Sequence, residues 1–269
     1  MGKGAFLRNF KGRELLLALS YMHQGEWKEM YEDIYQHRPL SQEEIDEAKR
    51  NITTPYVTIL DEDYPEPLKQ SYYPPFLLYY YGNLDLLKKK YRLTAIGTRT
   101  PTLYQSDTSY SLLKEVEEHF HNDLVILSGM AKGIDQSCMR AAMDQNAPAV
   151  SILGSGIDYP YPKENNGLYD YCKKEGLILS EYPLDSRPKP EHFVFRNRLL
   201  ATLSMVVYCG GGKNRSGSMS TVQKAIEAGR EICCLPCNVT GDDMTNSLIK
   251  DGASSILCAS DLIEVLESR

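Results

Sequence analysis

No hydrophobic run in the 269-residue chain approaches the about 18 residues that a membrane-spanning helix requires, so no membrane partner is expected. The Gly-x4-Gly-Lys-Ser/Thr signature is missing, which excludes P-loop chemistry. Gly154-Ser155-Gly156 begins like a dinucleotide fingerprint. Ile157, Asp158 and Tyr159 follow, however, so the third glycine is absent, and no acidic residue closes a strand about 20 residues on. None of the five histidines sits in a motif, and His192 has no serine, cysteine or carboxylate at a triad-like spacing. No His/Asp/Glu cluster has metal-ligand spacing, and no cofactor is expected. The seven cysteines, an odd number, argue against a secreted disulfide framework. Cys234-Leu235-Pro236-Cys237 lacks a second ligand pair for zinc and ends a β-type run, so it reads as buried thiols at a strand end. An excess of positive charge is also lacking: the net charge is −6. Residues 1–85 carry 9 basic and 14 acidic groups, whereas residues 86–269 carry 21 and 22, which leaves room for a local basic groove in the larger part. No small-residue cleavage site follows the N-terminal MGKGAFLRNFKGRELLLALS, which reads as the start of a helix rather than a signal peptide; the cytoplasm is the expected location.

What is present falls into two rhythms. Leu15, Leu16, Leu19, Met22, Trp27, Met30 and Ile34 recur at helical spacing and predict one helix over 13–37. Ser41 and Glu44 form a capping box that opens a second helix, ending near Asn51. A segment with five prolines and seven tyrosines follows, with β-type runs at 56–60 and 76–81. Beyond residue 90, short β-runs alternate with helical patterns: strands at 92–96, 124–127, 149–153, 177–179, 205–209, 232–235 and 255–257, helices at 109–120, 134–144, 167–174, 196–203, 218–229 and 260–266. This predicts an α/β fold, a doubly wound and mainly parallel sheet. The expected organisation is a small helical domain over 1–54, a proline- and tyrosine-rich lead-in over 55–90, and the sheet domain over 91–269.

In such sheets ligands bind beyond the carboxyl ends of the strands. Four strand ends here carry glycine beside hydroxyl or basic residues. They are Gly97-Thr98-Arg99; Ser128-Gly129-Met130-Ala131-Lys132-Gly133, followed by Asp135; Gly154-Ser155-Gly156 with the later Tyr161-Pro162-Lys163; and Gly210 to Lys213 with Arg215-Ser216-Gly217-Ser218. Turns of this kind leave N–H groups and hydroxyls for an anion. Arg196 and Arg198 flank Asn197 at what reads as a helix start, where the helix dipole disfavours cations unless an anion sits between them. Ser216 or Ser218 reads equally as the N-cap of the next helix. Asp135 reads more readily as a brace for the glycine turn than as a base. Tyr161 beside Lys163 pairs a stacking ring with a cation.

The segments SGMAKGID, LGSGIDYPYPKEN, SEYP, FRNRLLATLS, RSGSMSTVQKAIEAGREI and TNSLIKDGA occur in an order that closely resembles the DNA-processing protein A family (DprA, also called Smf). The lead-in YPEPLKQSYYPPFLLYYYGN and the GTR that follows, where the family more commonly has GSR, resemble it too, and the likeness runs from about residue 56 to 258. The resemblance implies an extended Rossmann-like domain preceded by a sterile-alpha-motif-like helical domain. It implies a protein, not an enzyme, that binds single-stranded DNA, protects incoming strands in natural transformation and loads the RecA recombinase, acting as a homodimer. Carried over, Gly97, Thr98, Arg99, Lys163, Arg196, Asn197 and Arg198 would hold phosphates. The turns around Ser128, Gly129, Met130, Ala131, Gly133 and Asp135, and Ser216, Gly217 and Ser218, would supply donors, and Tyr161 would stack a base. Ile256, Leu257, Leu262 and Leu266 become candidates for the dimer or partner face. The C-terminal winged helix of some members is not expected, because the chain ends at Arg269.

The rival reading is an enzyme of the lysine-decarboxylase-like group, which cleaves nucleoside monophosphates with a PGGxGT motif followed by a glutamate. Gly210 to Thr221 has the glycines, but Val222 and Gln223 follow and the first acid is Glu227, so the general acid/base is missing.

Overall fold

The chain's architecture follows from a computed structural model that describes residues 12–184, 186–238 and 244–269. Three helices come first: α1 (Gly12–Met22), α2 (Trp27–Tyr35) and α3 (Gln42–Asn51). The part of the N-terminal reading that falls on residues 1–11 lies outside the described residues. The single helix expected over 13–37 is two, because the chain turns at Gln24 and Gly25, both at positive φ. A Cβ at Gly25 would lie 2.3 Å from the Glu181 carbonyl, so this turn is pressed against a distant strand end. The capping box at Ser41 and Glu44 is formed.

The proline-rich segment contributes β1 (Tyr56–Thr58), the one-turn α4 (Glu66–Lys69) and β2 (Leu77–Gly82). Then follow β3 (Tyr91–Ile96), α5 (Leu103–Phe120), β4 (Leu124–Ser128), α6 (Ile134–Asp144), β5 (Ala149–Ile152), α7 (Asn166–Glu175), β6 (Leu177–Ser180) and α8 (Pro190–Leu203). The chain continues through β7 (Val206–Cys209), α9 (Gly217–Glu227), β8 (Glu231–Cys234), α10 (Met244–Lys250), β9 (Ser254–Ser255) and α11 (Ala259–Glu267).

These strands form one sheet in the order β1-β2-β6-β5-β4-β3-β7-β8-β9. From β6 to β9 every neighbouring pair is parallel; β1 and β2 are antiparallel additions beside β6. The expected α/β fold with a mainly parallel sheet is therefore present. The lead-in over 55–90 supplies two strands, β1 and β2, of this same sheet. The helices α1 and α3 share a hydrophobic core with Tyr79 of β2, and Ser20 Oγ hydrogen-bonds the Tyr79 hydroxyl at 2.9 Å.

Both faces of the parallel part are covered, which explains why its strands are apolar runs without alternation. Leu124 and Ile126 face α5, α6 and α11, while Val125 and Leu127 face α8. Successive strands from β3 to β6 step outward in one direction, and β7 returns to the other side of β3. That reversal opens a crevice where Ile96, paired with Cys209, gives way to Gly97 and Gly210.

Candidate functional site

At the crevice, Thr98 N–H donates to the Gly211 carbonyl at 2.8 Å and Gly210 N–H to Ile96 at 3.0 Å, so the turns after β3 and β7 are laced together. Ser218 Oγ donates to the Gly97 carbonyl at 2.8 Å, drawing the first turn of α9 onto the same edge. Gly133, at φ +79°, brings the start of α6 so close that a Cβ would meet the Thr98 carbonyl at 2.3 Å. Ser216 caps α9 by accepting from Met219 N–H at 3.4 Å.

The turn after β4 is braced from within. Asp135 Oδ2 accepts from the N–H groups of Gly129 and Ala131 at 3.2 and 3.4 Å, and Asn165 donates to the Met130 and Ala131 carbonyls. Burial raises the Asp135 pKa, against the opposing pull of the Arg196 guanidinium and of the hydrogen bonds from the turn's N–H groups. Ser128 Oγ, fully buried, donates to the Ala95 carbonyl at 2.8 Å. This corrects the expectation that Gly129 and Ala131 N–H and the Ser128 hydroxyl stand free for an anion: all three have internal partners.

The Arg196–Asn197–Arg198 run is corrected as well. Helix α8 begins at Pro190, which occupies the first helical position favoured by proline, so these residues lie in the helix interior. Residues two apart on a helix do not face each other, and the two guanidiniums diverge. Arg196 is buried; it donates to the carbonyls of Gly129 and Ile152. A Cβ at Gly129 would lie 2.5 Å from that guanidinium, so the glycine makes the seat. Burial pushes the Arg196 pKa down to about 10, with Asp135 pulling the other way. Arg198 makes a buried two-pronged pair with Glu181, at 2.7 and 2.5 Å, and donates to the Tyr73 carbonyl at 2.9 Å. Asn197 donates to the Gly217 carbonyl at 3.2 Å and ties α8 to α9. All three act as internal braces.

What remains accessible is Arg99, Lys163, Tyr161 and Gly217, with Thr98, Ala131, Gly133, Ser216 and Ser218 partly so. Lys213 and Arg215, passed over as candidates though they stand in the same glycine turn, are exposed too. Among the described residues, Arg99, Lys163, Lys213 and Arg215 make no ion pair. Lys132, by contrast, is bound to Glu164 at 2.5 Å. The site also gains Phe193. Its ring centroid lies 5.7 Å from that of Tyr161 and 5.9 Å from the Arg99 guanidinium carbon. Gly154 makes the space, since a Cβ there would lie 2.6 Å from the Phe193 ring. The FVF run before the arginines was legible as apolar, but only the helix start at Pro190 shows that Phe193 leans on the cleft. Val222, where the enzyme reading requires an acid, is fully buried core.

The model of the family described as DNA recombination-mediator protein A matches residues 55–267. The chain belongs to that family. It is 36% identical over 215 residues to the DNA processing protein DprA of Streptococcus pneumoniae, covering 79% of this chain and 74% of that one. It is 35% identical over 217 residues to DprA of Bacillus subtilis, covering 79% and 71%. The X-ray structure of S. pneumoniae DprA superposes with a TM-score of 0.77 at 33% identity, over 88% of this chain and 81% of that chain. DNA processing protein A from Helicobacter pylori, whose structure concerns its single-stranded DNA binding mode, superposes with a TM-score of 0.72 at 30% identity, over 80% and 97%. The family match begins at residue 55, so it takes in β1 and β2, in keeping with their place in the sheet.

The dimer-face candidates divide. Ile256, Leu262 and Leu266 are fully buried in the core that α11 shares with α5, which corrects their assignment to a face. Leu257 is exposed. Cys233 and Cys234 are buried and Cys237 is half-buried. Among the described residues, no helix is long and apolar enough to cross a membrane.

Proposed function

We propose that the chain binds single-stranded DNA in the cleft beyond β3, β4, β5 and β7, as a recombination mediator. The observation that carries this reading is the set of four exposed cations, Arg99, Lys163, Lys213 and Arg215, that make no ion pair among the described residues, on the strand-end edge that also presents the Tyr161–Phe193 ring pair. The cations hold phosphates and the rings take bases. Phosphate contacts carry no sequence information, so binding is sequence-tolerant and sensitive to salt. The single-strand binding named for the H. pylori relative supports the same reading. In this role the protein acts in the cytoplasm, by binding rather than by chemistry. It protects incoming strands during natural transformation and loads RecA onto them, as a homodimer whose two clefts add avidity.

The test is fluorescence anisotropy of labelled oligo-dT against a duplex of equal length over a salt series. Single-strand-selective binding is expected, and Arg99→Ala should reduce the salt slope by about one. Equal affinity for duplex, or an unchanged slope in the variant, would overturn the assignment.

A further inference from the structure

The tyrosine-rich segment and α2 together build a feature that the cleft does not use. Trp27, Tyr31 and Tyr35 follow one another at helical spacing and stack as a ladder, with centroids 5.1 and 6.0 Å apart and ring planes 9° and 19° from parallel. Trp27 is fixed at its base by Nε1 donating to the Pro74 carbonyl at 2.8 Å and by stacking on Phe76. Tyr73 meets Trp27 edge-on at 5.0 Å and reaches Phe195 of α8 at 6.2 Å. The outer rings are not core: Tyr35 is 68% exposed and Tyr72 91%. Isolated exposed aromatics need no explanation, but a rigid, ordered stack does.

The start of α8 lies between the ladder and the cleft: side chains two apart on a helix diverge, so Phe193 leans on the cleft and Phe195 on the ladder. Phe193, beside Tyr161, and Phe195, beside Tyr73, lie two residues apart on the first turns of α8, with the half-exposed Val194 between them. The chain entering α8 lies against the start of α2: Ser186 donates to Gln24 at 3.0 Å and Lys189 to Glu26 at 2.7 Å, with Arg187 exposed between them. Residues 1–85 are acidic overall, but on α2 Lys28 offsets Glu32 as an i,i+4 pair and Glu29 meets His23. Asp33 is turned away into His23 and Arg38.

We propose that a single strand held in the cleft continues over the start of α8 and stacks its bases on Tyr72, Tyr73, Tyr31 and Tyr35. This rests on the cleft reading and extends its footprint to the N-terminal helices. Stacking on aromatic rings is tolerant of sequence, in keeping with the rest of the site.

Trp27 is the chain's single tryptophan, so its emission reports on the ladder directly. Oligo-dT of about six nucleotides should bind the cleft without changing that emission, while one of about thirty should bind more tightly and quench it. Combined Tyr31→Ala, Tyr35→Ala and Tyr72→Ala substitutions should lower affinity for the long strand about tenfold and leave the short strand unaffected; Tyr→Phe at the same positions should restore binding. These rings are exposed, and circular dichroism would confirm that the variant folds. Unchanged Trp27 emission together with unchanged long-strand affinity in the alanine variant would overturn the proposal while short-strand binding stands. Failure of the short strand to bind would instead overturn the cleft reading.

Discussion

Arg99 and Arg198 carry the same guanidinium into opposite circumstances. Arg99 is exposed and lies against a ring, while Arg198 is buried in a two-pronged pair with Glu181. Removing a partner from a buried ion pair leaves an uncompensated charge. Arg198→Ala should therefore cost about 3–5 kcal/mol in urea unfolding, whereas Arg99→Ala should leave stability within about 0.5 kcal/mol and act on DNA binding alone. Glu117 of α5 is a second buried ionisable group; among the described residues neither of its carboxyl oxygens has a hydrogen-bond partner. Burial pushes its pKa from an ordinary 4.5 to about 8, with Lys89 pulling the other way. The folded state holds this proton more tightly than the unfolded chain does. The resulting stabilisation is complete below about pH 4.5 and is lost as pH rises toward 8, at about 1 kcal/mol per unit. Glu117→Gln should flatten that part of the stability profile, raising Tm relative to wild type more at pH 9 than at pH 6. Equal Tm differences at the two pH values would count against a buried, protonated carboxyl.

At the scale of elements, the site is made by how closely turns approach helices. Gly154 and Gly129 matter through the side chains they admit, Phe193 and Arg196. A methyl at residue 154 would displace the Phe193 ring. Gly154→Ala should weaken single-strand binding by about 1–3 kcal/mol, the worth of one stacked base, while far-ultraviolet circular dichroism stays unchanged. Full affinity in this variant would remove Phe193 from the site. Element ends show where sequence signals reach and where they stop. Helix α6 begins and ends where its pattern predicts, at Ile134 and Asp144. Helix α5 starts six residues before the expected Ser109, because Leu103 and Tyr104 face solvent and add nothing to periodicity; the capping box of Thr102 and Gln105 does the work.

At the scale of the molecule, one core beneath the sheet joins α1 and α3 to α11. Leu262 and Leu266, expected at a dimer face, belong to that core. Leu262→Ala should accordingly lower stability by about 2–5 kcal/mol, read by chemical denaturation, with no change in sedimentation at native conditions. A shift in oligomeric state without loss of stability would return these residues to an interface.

The sequence by itself determined the parallel α/β class, the strand-end turns and the family. Apolar runs between glycine turns are local signals, and a sheet covered on both faces leaves them uninterrupted. Arg99 was legible as a candidate for the same reason, since it stands three residues past the end of β3, whereas Tyr161 and Lys163 were read from the pairing of a ring with a cation in a later loop. Only the tertiary structure decided which cations stay free. Arg196 and Arg198 differ from Arg99 in what lies opposite them, the Gly129 and Ile152 carbonyls for one and Glu181 for the other. Those partners are 17 to 67 residues away in the chain. Burial and pairing at that separation are properties of packing, which no local pattern of residues encodes.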